Sequence, residues 1–261
     1  WSRDFDKMVE VGLDFTHFAE FAWARMEPEE GEFDFEWLDE AIKLASDRGL
    51  KVILCTPTPT PPAWLSVNYP EILMVDASGV KQRHGSRQHI SWSSAKYREK
   101  VEIIVEKLAE RYGDDDRVWG WQIDNEPSHY GKAYDYSEAA QENFKEWLKE
   151  KYGNIDELNS AWGAAFWSQT YNSFDQIRIP NCVELVQQPN PHAMLDFRRF
   201  TADEAASFIM FQCDILKERV SPDQWVTTIL MPEYGAVDPL RLRKLDFMAY
   251  TKYLVAGFDR G

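Results

Sequence analysis

Short apolar runs of strand length alternate with stretches of helical spacing along this chain, and that alternation constrains its fold more tightly than any other feature. The strand-type runs lie at residues 14–23 (DFTHFAEFAW, including a following loop), 51–56 (KVILCT), 118–124 (VWGWQID), 225–231 (WVTTILM) and 245–250 (LDFMAY). Chains that alternate in this way build βα units around a parallel sheet. The run VWGWQID is nearly continuous in apolar character, as expected of a buried strand.

Helical patterns fill the gaps. Asp34 reads as the N-cap of a helix with Phe35, Leu38, Ile42 and Ala45 on one face, and Gly49 as its stop. Residues 95–112 repeat the spacing through Val101, Ile104, Val105 and Leu108. Further helices are predicted over 137–152, 155–162 and about 193–219, with a short one near 239–244. Residues 56–62 (TPTPTPP) form a rigid loop leaving the second strand, because proline fixes φ and has no N–H to donate. No linker rich in Gly, Ser or Pro divides the chain, so a single domain over residues 1–261 is expected. Five βα units do not close an eight-stranded barrel, which leaves an open or an incomplete architecture.

Charge and composition narrow the function. A formal net charge of -15 repels phosphate backbones and anionic lipid, so neither nucleic acid nor a membrane surface is expected as a partner. No apolar run reaches bilayer length, and the opening WSRDFDKM has no signal-peptide core. Cys55, Cys182 and Cys213 are odd in number and widely spaced, without a CxxC pair. They read as buried free thiols of a reducing compartment, favouring the cytoplasm.

The segment 119–131 (WGWQIDNEPSHYG) carries the chemistry, because a buried strand there delivers Asp124, Asn125 and Glu126 together at its carboxyl end. In a parallel barrel that end is the active-site rim. Pro127 is expected to hold Glu126 in an extended backbone and its side chain at the mouth. Cleaving a glycosidic bond needs an acid to protonate the leaving oxygen, and a neighbouring amide suits a sugar hydroxyl. A solvated Glu before a proline would look the same in isolation.

Further blocks resolve that ambiguity. FAEFAWARMEPEEGEFDFEWLDEAI from Phe18, TPTPTPPAWL from Thr56, WQIDNE from Trp121, LNSAWGAAFWSQ from Leu158 and VTTILM from Val226 occur in the order of one known family. The chain resembles glycoside hydrolase family 42, the β-galactosidases, which are retaining enzymes on a (β/α)8 TIM barrel. The resemblance implies that Glu126 is the acid/base and that Asn125 binds the sugar beside it. Arg87 matches an arginine that reaches the bound sugar, although it would also fit a surface cluster with Arg83. Trp167 matches an aromatic wall of the subsite, with core packing as its alternative, and Tyr253 is a looser match. No cofactor is implied, and the partner is a carbohydrate substrate.

The same resemblance maps the five strands onto barrel strands two to six, with strands one, seven and eight missing and the barrel truncated at both ends. The nucleophile belongs to strand seven, beyond Gly261. Glu20 and Glu233 follow apolar runs but lack its context. Open sheet edges would leave self-association into a homo-oligomer as an option. Several positions depart from the family. His17 stands for a sugar-binding Arg, Ile229 for an Asn, and Thr251 and Leu254 for an Asp and a Pro. Ser91, Asp135, Ser137 and Ala140 occupy the places of four zinc-binding Cys, so no metal is expected there. These departures keep two alternatives open: a related retaining glycosidase acting on another galactose-containing polysaccharide, and a carbohydrate-binding barrel without catalysis.

Overall fold

The computed structural model describes residues 1–128, 134–181, 189–231 and 237–251. Five strands, β1 (Phe15–Phe18), β2 (Lys51–Cys55), β3 (Val118–Ile123), β4 (Trp225–Leu230) and β5 (Ala249–Tyr250), pair in sequence order. Every pairing is parallel. This is the parallel sheet expected from the alternation of strand and helix patterns, and the partial (β/α)8 barrel implied by the family resemblance. The last strand is shorter than the run LDFMAY suggests, and only Ala249 and Tyr250 join the ladder.

Helices cover one side of the sheet. Their order is α1 (Ser2–Glu10), α2 (Trp23–Met26), α3 (Glu36–Ser46), α4 (Ala63–Asn68), α5 (Ala95–Tyr112), α6 (Glu138–Tyr152), α7 (Ile155–Trp162) and α8 (Pro191–Arg219). Val52 and Leu54 of β2 and Trp121 and Ile123 of β3 are buried in the same core as Leu38 and Ile42 of α3 and Val101, Ile104 and Val105 of α5. Strand alternation then turns His17 and its register partner Ile53 to the opposite face of the sheet. Gly120 is required where the Trp225 ring crosses β3, since a Cβ there would sit 2.2 Å from a ring carbon.

Helix ends follow side-chain chemistry. Ser94 accepts a hydrogen bond from the Tyr97 N–H at the start of α5, Ser137 from Ala140 at the start of α6, and Asn190 from His192 and Ala193 at the start of α8. The expected cap at Asp34 shifts by one residue. Phe35 takes the N-cap position of α3, and the Asp34 carboxylate instead accepts from the Glu36 N–H at 3.0 Å. The helix α1 escapes the apolar pattern, because only Phe5 is buried along it, against Phe18 of β1.

The 29-residue helix α8 joins two apolar cores. Ala205, Phe208, Ile209 and Leu216 belong to the core under the sheet, whereas Ala193, Phe197 and Phe200 pack with Phe144 and Leu148 of α6 and Leu158 and Trp162 of α7. Asp196 is buried beside this second core and gathers four donors. Tyr152 Oη at 2.6 Å, Trp162 Nε1 at 3.0 Å, Arg199 Nη1 at 3.1 Å and Lys151 Nζ all bond its carboxylate.

Burial alone would raise the Asp196 pKa, but the bonds from Lys151, Tyr152 and Trp162 together hold it below its ordinary value of 3.8. A carboxyl with a depressed folded-state pKa stabilises the protein above about pH 3.8 and loses that contribution as pH falls through the folded value. Asp196→Asn is therefore expected to lower the urea midpoint at pH 7 and to bring it close to wild type at the lowest pH where both fold. A deficit that stays constant across that window would contradict this account.

Candidate active site

The strand β3 ends at Ile123, and the next three residues form the site. Asp124 is fully buried, with its N–H donated to Thr56 Oγ1 at 2.8 Å. Thr58 Oγ1 at 2.6 Å, Gln88 Nε2 at 2.8 Å and the Asn125 N–H at 2.7 Å bond its carboxylate. Burial raises the Asp124 pKa, with the bonds from Thr58, Asn125 and Gln88 acting against it. Gln88 also donates to the Asn125 carbonyl at 2.9 Å, and Thr56 Oγ1 donates to Gln212 Oε1 of α8 at 2.8 Å. The threonines of the proline-rich loop thus face the strand end rather than solvent, and Tyr97 Oη of α5 fixes that loop by donating to the Thr58 carbonyl.

Glu126 rests on this platform. Its N–H donates to the Ile229 carbonyl on β4 at 3.1 Å, tying the site across two strands. Its φ is 49°, so the extended backbone expected from Pro127 is not adopted. Asp124 shares the left-handed region with φ 52°. Such values outside glycine cost about 1–3 kcal/mol each and persist only where surrounding bonds over-determine the turn, as the network beneath Asp124 does. The Glu126 side chain is nearly enclosed, and Arg87 Nη1 lies 3.7 Å from its Oε2. Arg87 is half-exposed and rests over the Phe21 ring.

The remaining predicted residues separate. Asn125 is buried next to Glu126 in the turn. Trp167 is 60% exposed and packs against Phe166 with the rings tilted and 4.5 Å between centroids, so it is not a core residue. Trp167 and Ser168 both have a φ of 54°. Tyr253, Glu233, Leu254 and Cys182 lie outside the described residues, while Cys55 and Cys213 are buried free thiols. Sequence reasoning missed Gln88, Thr56 and Thr58; for the two threonines the signal was the pairing of hydroxyls with prolines in a loop too rigid to be merely a connector.

The four positions matching zinc-binding cysteines do converge. Ser91 Oγ and Ser137 Oγ are 3.1 Å apart, and Ser137 donates to Asp135 through both its hydroxyl and its N–H, at 2.9 and 2.8 Å. Asp135 also accepts from the Val75 N–H at 3.2 Å, and Ser137 caps α6, which begins two residues before Ala140. Hydrogen bonds tie the loop to the helix here.

A carboxylic acid set at the carboxyl end of a strand in a parallel α/β sheet, flanked by an amide and a guanidinium, is an arrangement suited to the acid–base chemistry of glycoside hydrolases. The sequence profile of glycoside hydrolase family 42, described as β-galactosidase, matches residues 1–260. The chain belongs to this family. A β-galactosidase from Thermus thermophilus is 44% identical over 254 residues, covering 97% of this chain and 39% of the relative. Solved structures of β-galactosidases from the psychrophilic Marinomonas ef1 and the haloarchaeon Halorubrum lacusprofundi superpose with TM-scores of 0.92, at 39% and 41% identity. Each alignment covers 97% of this chain and 38% of the solved one. The chain thus spans about two fifths of the relatives it matches. The catalytic domain of a β-amylase from Paenibacillus polymyxa, at 16% identity and TM-score 0.65, shares the fold.

Proposed function

We propose that this chain supplies the acid/base half of a retaining β-galactosidase site, with Glu126 as the proton donor. The observation that carries the reading is the placement of Glu126 at the end of β3, on a buried hydrogen-bonded platform and beside Arg87. In a double displacement Glu126 protonates the glycosidic oxygen while a second carboxylate attacks the anomeric carbon. Glu126 then takes a proton from the water that releases the sugar. The nucleophile is assigned to the part of the enzyme outside this chain, since the matched relatives are more than twice as long.

Neighbouring groups take the substrate roles. The Asn125 amide is placed to bond a sugar hydroxyl, and the exposed Trp167 indole offers a flat apolar face for a galactose ring. Tyr253 joins the set by resemblance. The Arg87 guanidinium beside Glu126 is placed to bond a substrate hydroxyl. No helix of the described residues is long and apolar enough to cross a membrane.

A panel of aryl glycosides assayed on the complete enzyme tests this. Hydrolysis of a β-galactoside is expected, with the β anomer released first in the proton NMR spectrum. Turnover of none of the β-galactosides would overturn the substrate, and an α first product would overturn the double displacement. A second reading draws on His17, Ile229 and Thr251, which depart from the family pattern around the sugar. It assigns the same chemistry to another galactose-containing polysaccharide, and predicts that such a polymer is cleaved faster than any simple β-galactoside.

A further inference from the structure

Apart from the residues assigned to glycoside cleavage, His17, Glu20 and Cys55 bring an imidazole, a carboxylate and a thiol together, with one ligand atom from each lying within 4.8 Å of the others. The fold places them deliberately. His17 of β1 pairs with Ile53 of β2, and Cys55 lies two residues further along β2, so both side chains project from the same face of the sheet. Glu20 is turned back toward them at Ala19, a buried residue held at φ 94°.

The separations suit an ion. Cys55 Sγ is 3.7 Å from His17 Nδ1, and that nitrogen is 3.8 Å from Glu20 Oε1. A tetrahedral zinc with bonds of about 2.0–2.3 Å keeps its ligand atoms roughly 3.3–3.6 Å apart, so these two separations need shifts of a few tenths of an ångström, and the third pair, Cys55 and Glu20, lies within 4.8 Å. Hydrogen bonds already link Cys55 to His17 and to Glu20, so an ion would replace those contacts, while 3.8 Å is too long for a hydrogen bond between His17 and Glu20. The site is also asymmetric. Cys55 is fully buried while the His17 side chain is 44% exposed, which leaves one approach open.

We propose that His17, Glu20 and Cys55 form a three-ligand site for zinc or a similarly soft divalent ion, with the fourth position open on the His17 side. A thiolate with an imidazole selects zinc over magnesium or calcium, and three protein ligands with one free position are the pattern of sites that exchange water or substrate. As the sulfur–metal bond forms, the Cys55 thiol releases its proton to solvent. This site does not involve Ser91, Asp135, Ser137 or Ala140, and its existence does not depend on the assignment of Glu126.

Chelator-treated protein titrated with Co²⁺ tests the proposal, since a cobalt–thiolate bond gives a charge-transfer absorption that oxygen and nitrogen ligands do not. One equivalent is expected to bind with that band, and zinc is expected to displace it. Cys55→Ser should abolish the band, Cys213→Ser and Cys182→Ser should leave it, and His17→Ala should weaken binding at least roughly tenfold. Absence of a sulfur band, a band that survives Cys55→Ser, or unchanged affinity in His17→Ala would overturn the site. Should the buried Cys55 variant fail to fold by circular dichroism, the half-exposed His17 decides the outcome alone.

Discussion

Replacing Glu126 by alanine in the complete enzyme is expected to lower kcat/KM on a β-galactoside with a poor leaving group by about 10²–10⁴-fold. Two steps lose the same group. Without the carboxylic acid the departing oxygen leaves as an alkoxide, and without the carboxylate the second step has no base for water. A loss of that size corresponds to about 3–5.5 kcal/mol of transition-state stabilisation, more than a hydrogen bond from a bystander would supply. Azide, a nucleophile that needs no base, is expected to restore part of the rate in the alanine variant and to give the β-galactosyl azide. A variant keeping more than about a tenth of wild-type kcat/KM would show that another group carries the proton.

The second large effect is on folding. Phe197 is fully buried and its ring lies 5.1 to 5.5 Å from those of Tyr134, Tyr136 and Phe144. Truncating it to alanine removes the centre of the core shared by α6, α7 and the first half of α8, at a cost of about 3–5 kcal/mol. Against a typical total of about 5–15 kcal/mol this is a large share. Denaturant unfolding should show the loss, and amide exchange should quicken in α6 and α7 more than in β2 and β3, because the sheet rests on a separate set of side chains. A loss under about 1 kcal/mol, or uniform acceleration across both cores, would contradict this division.

Much of this architecture was legible because it depends on periodicity. The helix at 95–112 and the strand ending at Ile123 match their patterns, since each buries a regular stripe or a continuous run. α1 escaped because one buried Phe makes no stripe. Positive backbone angles were invisible for a different reason. Pro127 on its own favours an extended Glu126, and only long-range bonds from Thr56, Thr58, Gln88 and Ile229 force the turn at 124–126. Those partners lie about 36 to 103 positions away in sequence, beyond any local rule.

The candidate site divides in the same way. Glu126 and Asn125 were readable from a strand end and a motif, and Arg87 from resemblance alone, since nothing local distinguishes it from Arg83. The cluster of His17, Glu20 and Cys55 had no sequence signature, because its members sit on β1, on the turn after it and on β2, with α2 and α3 between the two strands. Parallel pairing creates that neighbourhood.

The claim that Glu126 hands a proton to the leaving oxygen is tested most directly by the dependence of rate on leaving group in Glu126→Gln. Aryl β-galactosides whose phenols range from strongly to weakly acidic should be compared at limiting substrate, where bond cleavage governs kcat/KM. The variant is expected to approach wild type on the most acidic phenol, which departs without help, and to fall behind by orders of magnitude as the phenol weakens. An equal loss across the series would mean that Glu126 does not deliver the proton.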